Sequence, residues 1–285
     1  FSIYSFNSKL LTGTDEHGKK IQLTASNSEL STKQLCYKNS ELFKKMLTSI
    51  DCKYERFIRT TDTDHISIVT DSILFMDKFI YKGEYNGYYN VTEESYISNN
   101  EASNNNFTDP NTGKKYEVRS EECYFFRLSE FKDQIKDLKD KVYGFNFESF
   151  NDRLQQLQDV CISRLKTPDF NWGIEFPNDY NHIVYVWFDA LLNYITGEMS
   201  IFKNNEDVVN TVHIIGKDIT WFHSVIYPAI LIAGQYKMYD NILVHGFILD
   251  KNGNKMSKSL GNIITPKELL DEFPIDYLRF YFFME

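Results

Sequence analysis

The sequence predicts an α/β protein whose parallel β-sheet is interrupted by an inserted, β-rich module. The first observation is a set of compact β-branched and aromatic runs of parallel-strand length, HIVYVWF (182–188), TVHIIG (211–216) and NILVHGFI (241–248). Helix-compatible segments follow these runs, and strands that alternate with helices imply a parallel sheet with right-handed crossovers. The second observation is a change of composition, because Tyr, Asn, Ser and Glu become frequent over 81–106.

Bulk composition limits the class of protein. A chain of 285 residues with 42% hydrophobic residues can bury a large core, in one large domain or two smaller ones. The net charge of -9 and the pI near 5.3 exclude a broad basic face, which disfavours generic nucleic-acid binding. Cys36, Cys52, Cys123 and Cys161 form no C-x-x-C pair, which fits a reducing compartment and predicts no structural metal. Without a membrane-length apolar run or a signal peptide, we expect a soluble intracellular protein.

The first 80 residues predict a strand, a loop and helices. NSKLLTGTDEHG (7–18) is a short apolar strand that runs into a glycine turn. LSTKQLCYKNSELFKKMLTSI (30–50) has the apolar spacing of an amphipathic helix. The apolar positions of that helix are Leu35, Leu42, Phe43 and Leu47.

The middle of the chain predicts an insertion. Residues 81–106 alternate short strands with a tract that is too polar to pack, and we expect a flexible loop at 98–114. Residues 127–165 return to helical spacing, and NWGIEFPNDYN (171–181) is a turn-rich connector. The predicted domains are the first half of an α/β domain (1–81), the inserted module (82–180), the second half of the α/β domain (181–249) and a basic loop followed by the start of a helical region (250–285).

Ligands of such sheets bind beyond the carboxyl ends of the strands, so the motifs to examine follow the predicted strands. TGTDEHG places Asp15 between two glycines directly after the first strand. A carboxylate held there can receive a ligand ammonium, although a solvated acidic turn is the alternative that this motif favours when taken alone.

Two further motifs follow later strands. GKDITWFH places Gly216 at a strand end and Asp218 close behind it, where the carboxylate either accepts bonds from ribose hydroxyls or only caps a helix. WFDALLNY puts Trp187, Ala190, Leu191 and Tyr194 on one helical face, a stripe that is usually core.

NGNKMSKSLGN (252–262) is basic in an acidic protein. Lys255 and Lys258 lie three residues apart beside Ser257, and Gly253 and Gly261 give the backbone freedom. Point charges, hydroxyls and a close backbone suit a polyphosphate, and a basic turn between strand and helix is the equally open alternative. The sequence has no GxGxxG, P-loop or GxSxG motif, so a dinucleotide oxidoreductase, a P-loop kinase and an α/β-hydrolase lose their best support.

Taken together and in this order, stretches that cover nearly the whole chain resemble the class I methionyl-tRNA synthetases. KMSKS marks class I synthetases in general, whereas TGTDEHG, YFFRLS and WFDALLNYITG point to the methionine enzymes. The matching stretches are LTGTDEHGKKI (11–21), FIRTTD (57–62), KGEYNGYY (82–89), ECYFFRLSEF (122–131), YVWFDALLNYITG (185–197), IIGKDITWFHSVIYPAIL (214–231), HGF (245–247) and KMSKSLGN (255–262).

The resemblance implies a Rossmann-like, nucleotide-binding catalytic domain that is split by a connective module. It implies an enzyme that joins L-methionine to ATP, with Mg²⁺ on the phosphates, and then passes the methionyl group to the 3′ end of tRNA(Met). We expect a monomer located in the cytoplasm, with an organellar form as the alternative, and no membrane association.

The resemblance also assigns roles to residues at matching positions. Lys255 and Lys258 would be the catalytic cations on the triphosphate, with Ser257 beside them, and Asp15 would hold the methionine ammonium. Leu191 stands where many relatives have proline. The thioether pocket would be lined by Trp187, Ala190, Leu191, Tyr194, Ile219, Phe222 and His223, and the nucleotide would be held by Gly216, Asp218, Gly246 and Phe247.

Three departures from the family pattern give further expectations. No HIGH-type motif precedes TGTDEHG, so the polypeptide as written is expected to be severely impaired in adenylation unless an upstream segment supplies it. The chain ends before the helical anticodon-binding region that the family would place next. The inserted module lacks cysteine knuckles, so we expect no structural zinc.

Two other functions stay open. One is a class I synthetase with a different amino-acid specificity. The other is a non-catalytic relative that binds tRNA or protein and has lost the HIGH motif.

Overall fold

The computed structural model describes residues 8–92, 95–97, 99–110, 112–144, 151, 154–202, 210–254, 256 and 261–284. Within these ranges strands and helices alternate at both ends of the chain, and antiparallel strands fill the middle. The elements are β1 (Leu11–Thr14), α1 (Lys19–Ser26), α2 (Thr32–Ser49), β2 (Arg56–Arg59), α3 (Thr63–Phe75), β3 (Ile80–Asn90), β4 (Ser95–Ile97), α4 (Asn99–Asn104), β5 (Glu117–Phe126), α5 (Lys132–Lys136), β6 (Val142–Tyr143), β7 (Val160–Cys161), β8 (Ser163–Leu165), β9 (His182–Val184), α6 (Val186–Ile201), β10 (Val212–Gly216), α7 (Tyr227–Ala233), β11 (Asn241–His245), α8 (Pro266–Glu272) and α9 (Ile275–Met284).

Parallel pairing confirms the predicted α/β class. β1 pairs in parallel with β2, so that Thr14 lies opposite Arg59 at the strand end. β10 pairs in parallel with β11, and β11 with β6, which confirms the parallel strands predicted in TVHIIG and NILVHGFI, although the second strand ends at His245. Side chains that follow these strands lie at the carboxyl ends of the strands. We call the carboxyl end of β1 one rim, and the carboxyl ends of β10 and β11 the other rim.

HIVYVWF was predicted as one parallel strand, and that prediction is wrong. Only His182–Val184 is a strand, and it pairs antiparallel with β8. The backbone carbonyl of Tyr185 accepts hydrogen bonds from the amides of Phe188 and Asp189, so a helix begins at Val186. A fully buried helix is apolar all round, and periodicity alone does not separate its start from a strand.

The inserted module contains a long antiparallel ladder. β3 pairs with β5 from Ile80 opposite Phe126 to Tyr89 opposite Glu117, with β4 and β7 at the two edges. The flexible loop predicted at 98–114 is wrong in part, because α4 lies within it. Ala102 on α4 is fully buried and packs in a small cluster with Ile97 and Tyr116, so one alanine anchors an otherwise polar tract.

Two helical predictions need correction. In the described part of residues 127–165 the helical pieces include 128–131, α5 and 139–141, all of them short, and the strands β6, β7 and β8 lie in the same span. α2 is the predicted helix, but Leu42 and Phe43 are 55% and 50% exposed, whereas Cys36 and Ser40 are buried. The physical reason is that the face of α2 with small side chains packs closely against the turn after β1. Cys36 Sγ lies 3.4 Å from the backbone oxygen of Glu16, which leaves little room for a larger side chain.

The main core positions α6 against β1 and α3. Val69 on α3 and Leu192 on α6 are fully buried in one cluster with Phe126 and Ile230. A Cβ on Gly197 of α6 would lie 2.3 Å from a side-chain carbon of Leu11 on β1, so this glycine permits the close contact. In the part of the chain that the structure describes, no helix has the length and apolar character needed to cross a membrane.

Candidate active site

The turn after β1 is held by a buried carboxylate, Glu16. Glu16 is 2% exposed and accepts hydrogen bonds from Arg59 Nε and Nη2 at 2.8 and 2.9 Å. Thr61 Oγ1 donates to the same carboxylate at 2.5 Å, and Trp172 Nε1 donates to the backbone oxygen of Glu16. Asp15, the residue before it, is exposed at the strand end. The turn is therefore fixed by Glu16 while the neighbouring Asp15 faces outward.

The same turn is tied to α6 by a buried chain of imidazoles around Asp189. His17 Nδ1 donates to Asp189 Oδ2 at 2.8 Å, and His65 Nε2 donates to Asp189 Oδ1 at 3.2 Å. Burial alone would lower the pKa of His17, but the Asp189 carboxylate outweighs it and raises that pKa above 6.5. Burial would likewise raise the pKa of Asp189, and His17 with His65 holds it below 3.8. Each partner of the pair His17–Asp189 therefore favours the charged form of the other.

One face of α6 forms an aromatic wall with the segment after β10. The rings of Trp187 and Phe222 stack with centroids 3.9 Å apart and planes 11° from parallel. Tyr194 Oη lies 2.7 Å from His223 Nε2, and His223 Nδ1 donates to the backbone oxygen of Ile219 at 3.0 Å. Burial lowers the pKa of His223, so the ring is neutral at neutral pH. Its Nε2 then accepts a hydrogen bond from the Tyr194 hydroxyl.

The other residues predicted for this wall have different exposures. Ala190 is half-buried, as are Trp187 and Tyr194, so each keeps part of its surface open. Leu191 is only 1% exposed and belongs to the main core cluster. Contacts therefore link five of the predicted pocket residues. Trp187 stacks on Phe222, Tyr194 is hydrogen-bonded to His223, and His223 is hydrogen-bonded to Ile219.

The ends of β10 and β11 bring together the residues predicted for the nucleotide. Gly216 lies opposite His245 in the strand register, and a Cβ on Gly216 would lie 2.7 Å from Asp218 Oδ1. Lys217 Nζ lies 4.4 Å from the ring centre of Phe247. A Cβ on Gly246 would meet nothing within 4 Å, so backbone is accessible at this point of the rim.

Lys255, Ser257 and Lys258 of the basic stretch lie outside the described residues. The residues on either side are organised by Asp250. Its carboxylate accepts hydrogen bonds from the amides of Asn252 and Asn254 and from Asn262 Nδ2, each at 2.9 Å. These bonds lower the pKa of Asp250, the contact with Asn262 most of all. Asp250 therefore joins the two ends of the basic stretch.

Gly253 and Gly261 have φ of 80° and 65°, in the left-handed region that favours glycine. The expectation that these two glycines supply backbone freedom is confirmed. No group of three His, Cys, Asp or Glu side chains suited to a metal ion occurs within the ranges that the structure describes.

Sequence reasoning gave no role to Glu16, His17, Arg59, His65 or Asp189. A signal for two of them was present, because Asp189 interrupts the apolar run VWFDALL and His65 precedes the apolar run ISIV. A buried charge or imidazole is costly unless it is paired, so a polar residue inside an apolar pattern indicates a partner elsewhere. The partner itself is not visible in the sequence.

A cavity of about 370 Å³ lies on another surface, next to the inserted module. Lys19, Arg119, Arg164 and Phe170 are among its lining residues, and none of the residues predicted for methionine or ATP lines it. This cavity therefore does not include the residues predicted for methionine or ATP.

Comparison with known proteins identifies relatives. The family model described as "tRNA synthetases class I (M)" matches residues 4–106 and 101–285. The methionine–tRNA ligase of Synechocystis sp. is 38% identical over 97% of this chain and 54% of its own length. That of Clostridium tetani is 37% identical over 96% of this chain and 44% of its own length. This chain thus spans about half the length of the curated relatives that it matches.

Solved structures agree in fold. Mycobacterium tuberculosis methionyl-tRNA synthetase, in two structures with methionyl-adenylate, matches with TM-scores of 0.83 and 0.86 at 31% identity. Each match covers 98% of this chain and 57% of the other. The Rossmann-like α/β fold that the resemblance implied is therefore confirmed. With a family model matched along almost its whole length, this chain belongs to the class I tRNA synthetases, in their methionyl (M) group.

Proposed function

We propose that this chain is the catalytic region of a methionine–tRNA ligase. The enzyme activates L-methionine with ATP to give methionyl-adenylate and pyrophosphate, and then transfers the methionyl group to the 3′ end of tRNA(Met). The observation that carries the proposal is the aromatic wall of Trp187, Phe222, Tyr194 and His223, held near a turn that presents Asp15. Relatives that are methionine–tRNA ligases support the same assignment, and one of them, from Mycobacterium tuberculosis, has two structures with methionyl-adenylate.

The aromatic wall suits a thioether. A flexible, polarisable sulfur chain gains contact energy against aromatic rings that a shorter side chain does not reach. Tyr194 and His223 satisfy each other and Ile219 O, so the wall demands no polar partner from the bound side chain. We assign the pocket to Trp187, Ala190, Leu191, Tyr194, Ile219, Phe222 and His223, with Asp15 on the ammonium.

The nucleotide lies across the other rim. We assign the ribose to Gly216 and Asp218 and the adenine to the open backbone at Gly246 and Phe247. A methionine carboxylate oxygen attacks the α-phosphorus, the new O–P bond forms, and the bond to the β-phosphate oxygen breaks so that pyrophosphate leaves with the electron pair. Fixed positive charge helps most where negative charge develops, on the leaving phosphates.

We assign that positive charge to Lys255 and Lys258, with Ser257 as a hydroxyl donor, on the strength of the KMSKS motif. Mg²⁺ would accompany ATP here and would supply further positive charge to the phosphates. The side chains of this chain do the binding and orienting, and we assign no step to the ion.

The domain boundaries are part of the proposal. We assign 1–81 and 181–249 to the two catalytic halves, 82–180 to the connective module, and 250–285 to the KMSKS loop and the following helices. The β3–β5 ladder, which begins at Ile80, supports the first boundary to within two residues. We further propose a monomer that acts in the cytoplasm, or in an organelle, on tRNA(Met).

Calorimetric titration of this chain with methionine, leucine and a methionyl-adenylate analogue tests the pocket. Methionine is expected to bind about tenfold more tightly than leucine or better, which is the usual range for discrimination in an apolar pocket. Equal affinities contradict the methionine assignment. Pyrophosphate exchange that depends on a different amino acid, measured with the full-length protein, identifies another class I synthetase. Methionine binding without any exchange identifies the non-catalytic relative.

A further inference from the structure

The buried chain of side chains around Asp189 joins three elements of the fold. His17 follows β1, His65 lies on α3, and Asp189 lies on α6. Asp189 and His65 have no exposed side-chain surface, and the His17 side chain is 5% exposed. His65 also reaches α6 a second time, because its Nδ1 lies 3.0 Å from Thr196 Oγ1. The His65 imidazole on α3 therefore contacts α6 at Asp189 and at Thr196, which are seven residues apart on one face of the helix.

Stability alone does not explain why a carboxylate occupies this position. A buried charge loses its hydration, and well-packed apolar side chains of similar volume often stabilise a fold as much or more. What the ionic arrangement adds is direction, because each hydrogen bond of Asp189 forms only within a narrow range of distance and angle. The network thus specifies how the turn after β1 and the helix α6 sit relative to each other.

These two elements carry the two parts of the proposed methionine site. His17 is two residues after Asp15, the proposed ammonium ligand, and Asp189 lies between Trp187 and Ala190 on α6. A shift of α6 along its axis would move the aromatic wall away from the Asp15 turn by the same amount. Misplacement of about 1 Å is known to be costly in binding sites of this kind.

We propose that His17, Asp189 and His65 form a positioning network that sets the spacing between the Asp15 turn and the aromatic wall, and thereby sets the affinity for methionine. This inference rests on the proposed function. None of the three residues needs to touch the amino acid, so they act as positioning residues, and their effect is transmitted through Asp15 and Trp187.

The charged state of His17 is part of the network. The His17 ring contacts Asp189 of α6 and lies 5.7 Å, centre to centre, from the ring of Trp172. The negative charges of Asp15 and Glu16, in the same turn, also raise the pKa of His17. Arg59 from β2 neutralises Glu16. The affinity for methionine is therefore expected to fall as the pH rises through the raised pKa of His17, because the ion pair with Asp189 is then lost.

The test replaces Asp189 by Asn in this chain and measures methionine affinity by calorimetry over a range of pH. Asp189→Asn keeps the shape and removes the charge, so methionine is expected to bind about tenfold more weakly at neutral pH. The fall of affinity with rising pH is expected to disappear in this variant, since no His17–Asp189 ion pair is left to be broken when His17 loses its proton. A residue with only a structural role would not shift that profile.

Ser72→Ala is the matched control. Ser72 is buried on α3, the helix that carries His65, and shares a hydrogen bond of 2.7 Å with Tyr236 Oη. Its loss is expected to lower the melting temperature while methionine affinity and its pH profile stay as in the wild type. A second variant, Thr196→Val, removes the distal hydrogen bond to His65, together with the bond from Thr196 Oγ1 to the backbone oxygen of Leu192 within α6. It is expected to weaken methionine binding about threefold.

Wild-type affinity and an unchanged pH profile in Asp189→Asn overturn the inference. If Asp189→Asn does not fold, wild-type affinity in Thr196→Val overturns it instead. Failure of the proposed function gives a different result, because the wild-type chain itself would then show no preference for methionine. Weak binding in Asp189→Asn and in Ser72→Ala alike would show a general loss of structure, which also overturns the inference.

Discussion

The two rims of the proposed site are built in opposite ways. The methionine rim is tied together by buried contacts that link residues far apart in the chain, such as His17 with Asp189. The nucleotide rim consists of exposed and partly exposed residues next to two strand ends, and the two ends of its basic stretch are joined through Asp250 and Asn262. The difference indicates a preformed site for the amino acid and an adaptable one for the phosphates. Variants in the methionine rim should therefore change stability or methionine affinity, whereas variants in the nucleotide rim should change the rate of activation.

The largest effect is expected from Lys258→Ala, in the rate of methionine-dependent pyrophosphate exchange by the full-length protein. Loss of a fixed charge on the leaving phosphates is expected to cost about a hundredfold or more in rate, with methionine affinity nearly unchanged. Lys267→Ala is the control, because Lys267 on α8 is exposed and pairs only with its neighbour Asp271 in the described contacts. A parallel loss of methionine affinity in Lys258→Ala would mean that the loop supports folding instead.

Glu16→Ala should fail in stability rather than in chemistry. It removes the buried carboxylate between Arg59 and Thr61 and leaves a largely buried guanidinium without its main partner. We expect the free energy of unfolding to fall by about 3 kcal/mol, measured by urea denaturation. The control Glu41→Ala breaks an exposed pair with Lys44, and no measurable change is expected there. Equal effects in the two variants would contradict the view that this rim is preformed.

Asp15→Asn separates recognition from folding within the methionine rim. Asp15 is exposed, so its replacement is expected to leave stability nearly unchanged, while methionine affinity falls about tenfold through loss of the ammonium's charged partner. Calorimetric titration measures the affinity, and the exposed Asp276→Asn on α9 is the control. A large drop in melting temperature for Asp15→Asn would instead give Asp15 a structural role like that of Glu16.

The smallest effect is expected in the pH dependence of stability. The pKa of His17 is raised from 6.5, so its contribution is fully present below pH 6.5 and is lost as pH rises through the raised value. The pKa of Asp189 is lowered from 3.8, so its contribution is present above pH 3.8 and is lost as pH falls through the lowered value.

The ion pair is therefore expected to stabilise the fold most between these limits. The difference in unfolding free energy between the wild type and Asp189→Asn should be largest there and should shrink towards both extremes of pH. A difference that stays constant across the whole range would show that charge plays no part.

How far the sequence could predict this structure depended on whether the relevant contacts were local. β10 and β11 were predictable because their β-branched runs fit parallel strands, and the motifs at their ends were placed correctly. HIVYVWF was wrongly predicted as one strand because a buried strand and the start of a buried helix have the same apolar composition. The exposed face of α2 was misread because Leu42 and Phe43 look like core, whereas close packing at Cys36 decided the orientation.

The buried polar network was beyond prediction for a physical reason. His17 and Asp189 are 172 residues apart, and the pairing energy depends on a geometry that only the folded chain creates. The sequence did mark Asp15, whose exposed carboxylate follows a strand, but Glu16 and His17 beside it looked like an ordinary acidic turn. Residues that contact a ligand leave local motifs, whereas residues that hold those motifs in place do not.

The ladder between β3 and β5 has a consequence for how this fold varies among relatives. Its first rung joins Ile80 to Phe126, and the amide of Arg127 bonds to the backbone oxygen of Phe79 at 2.8 Å. The β3–β5 ladder therefore leaves the main core and returns to it at a single point, between Phe79 and Arg127. Residues can be gained or lost beyond that point without altering the distance between these two residues, so the ladder can lengthen, shrink or acquire new partners while the rest of the fold stays in place.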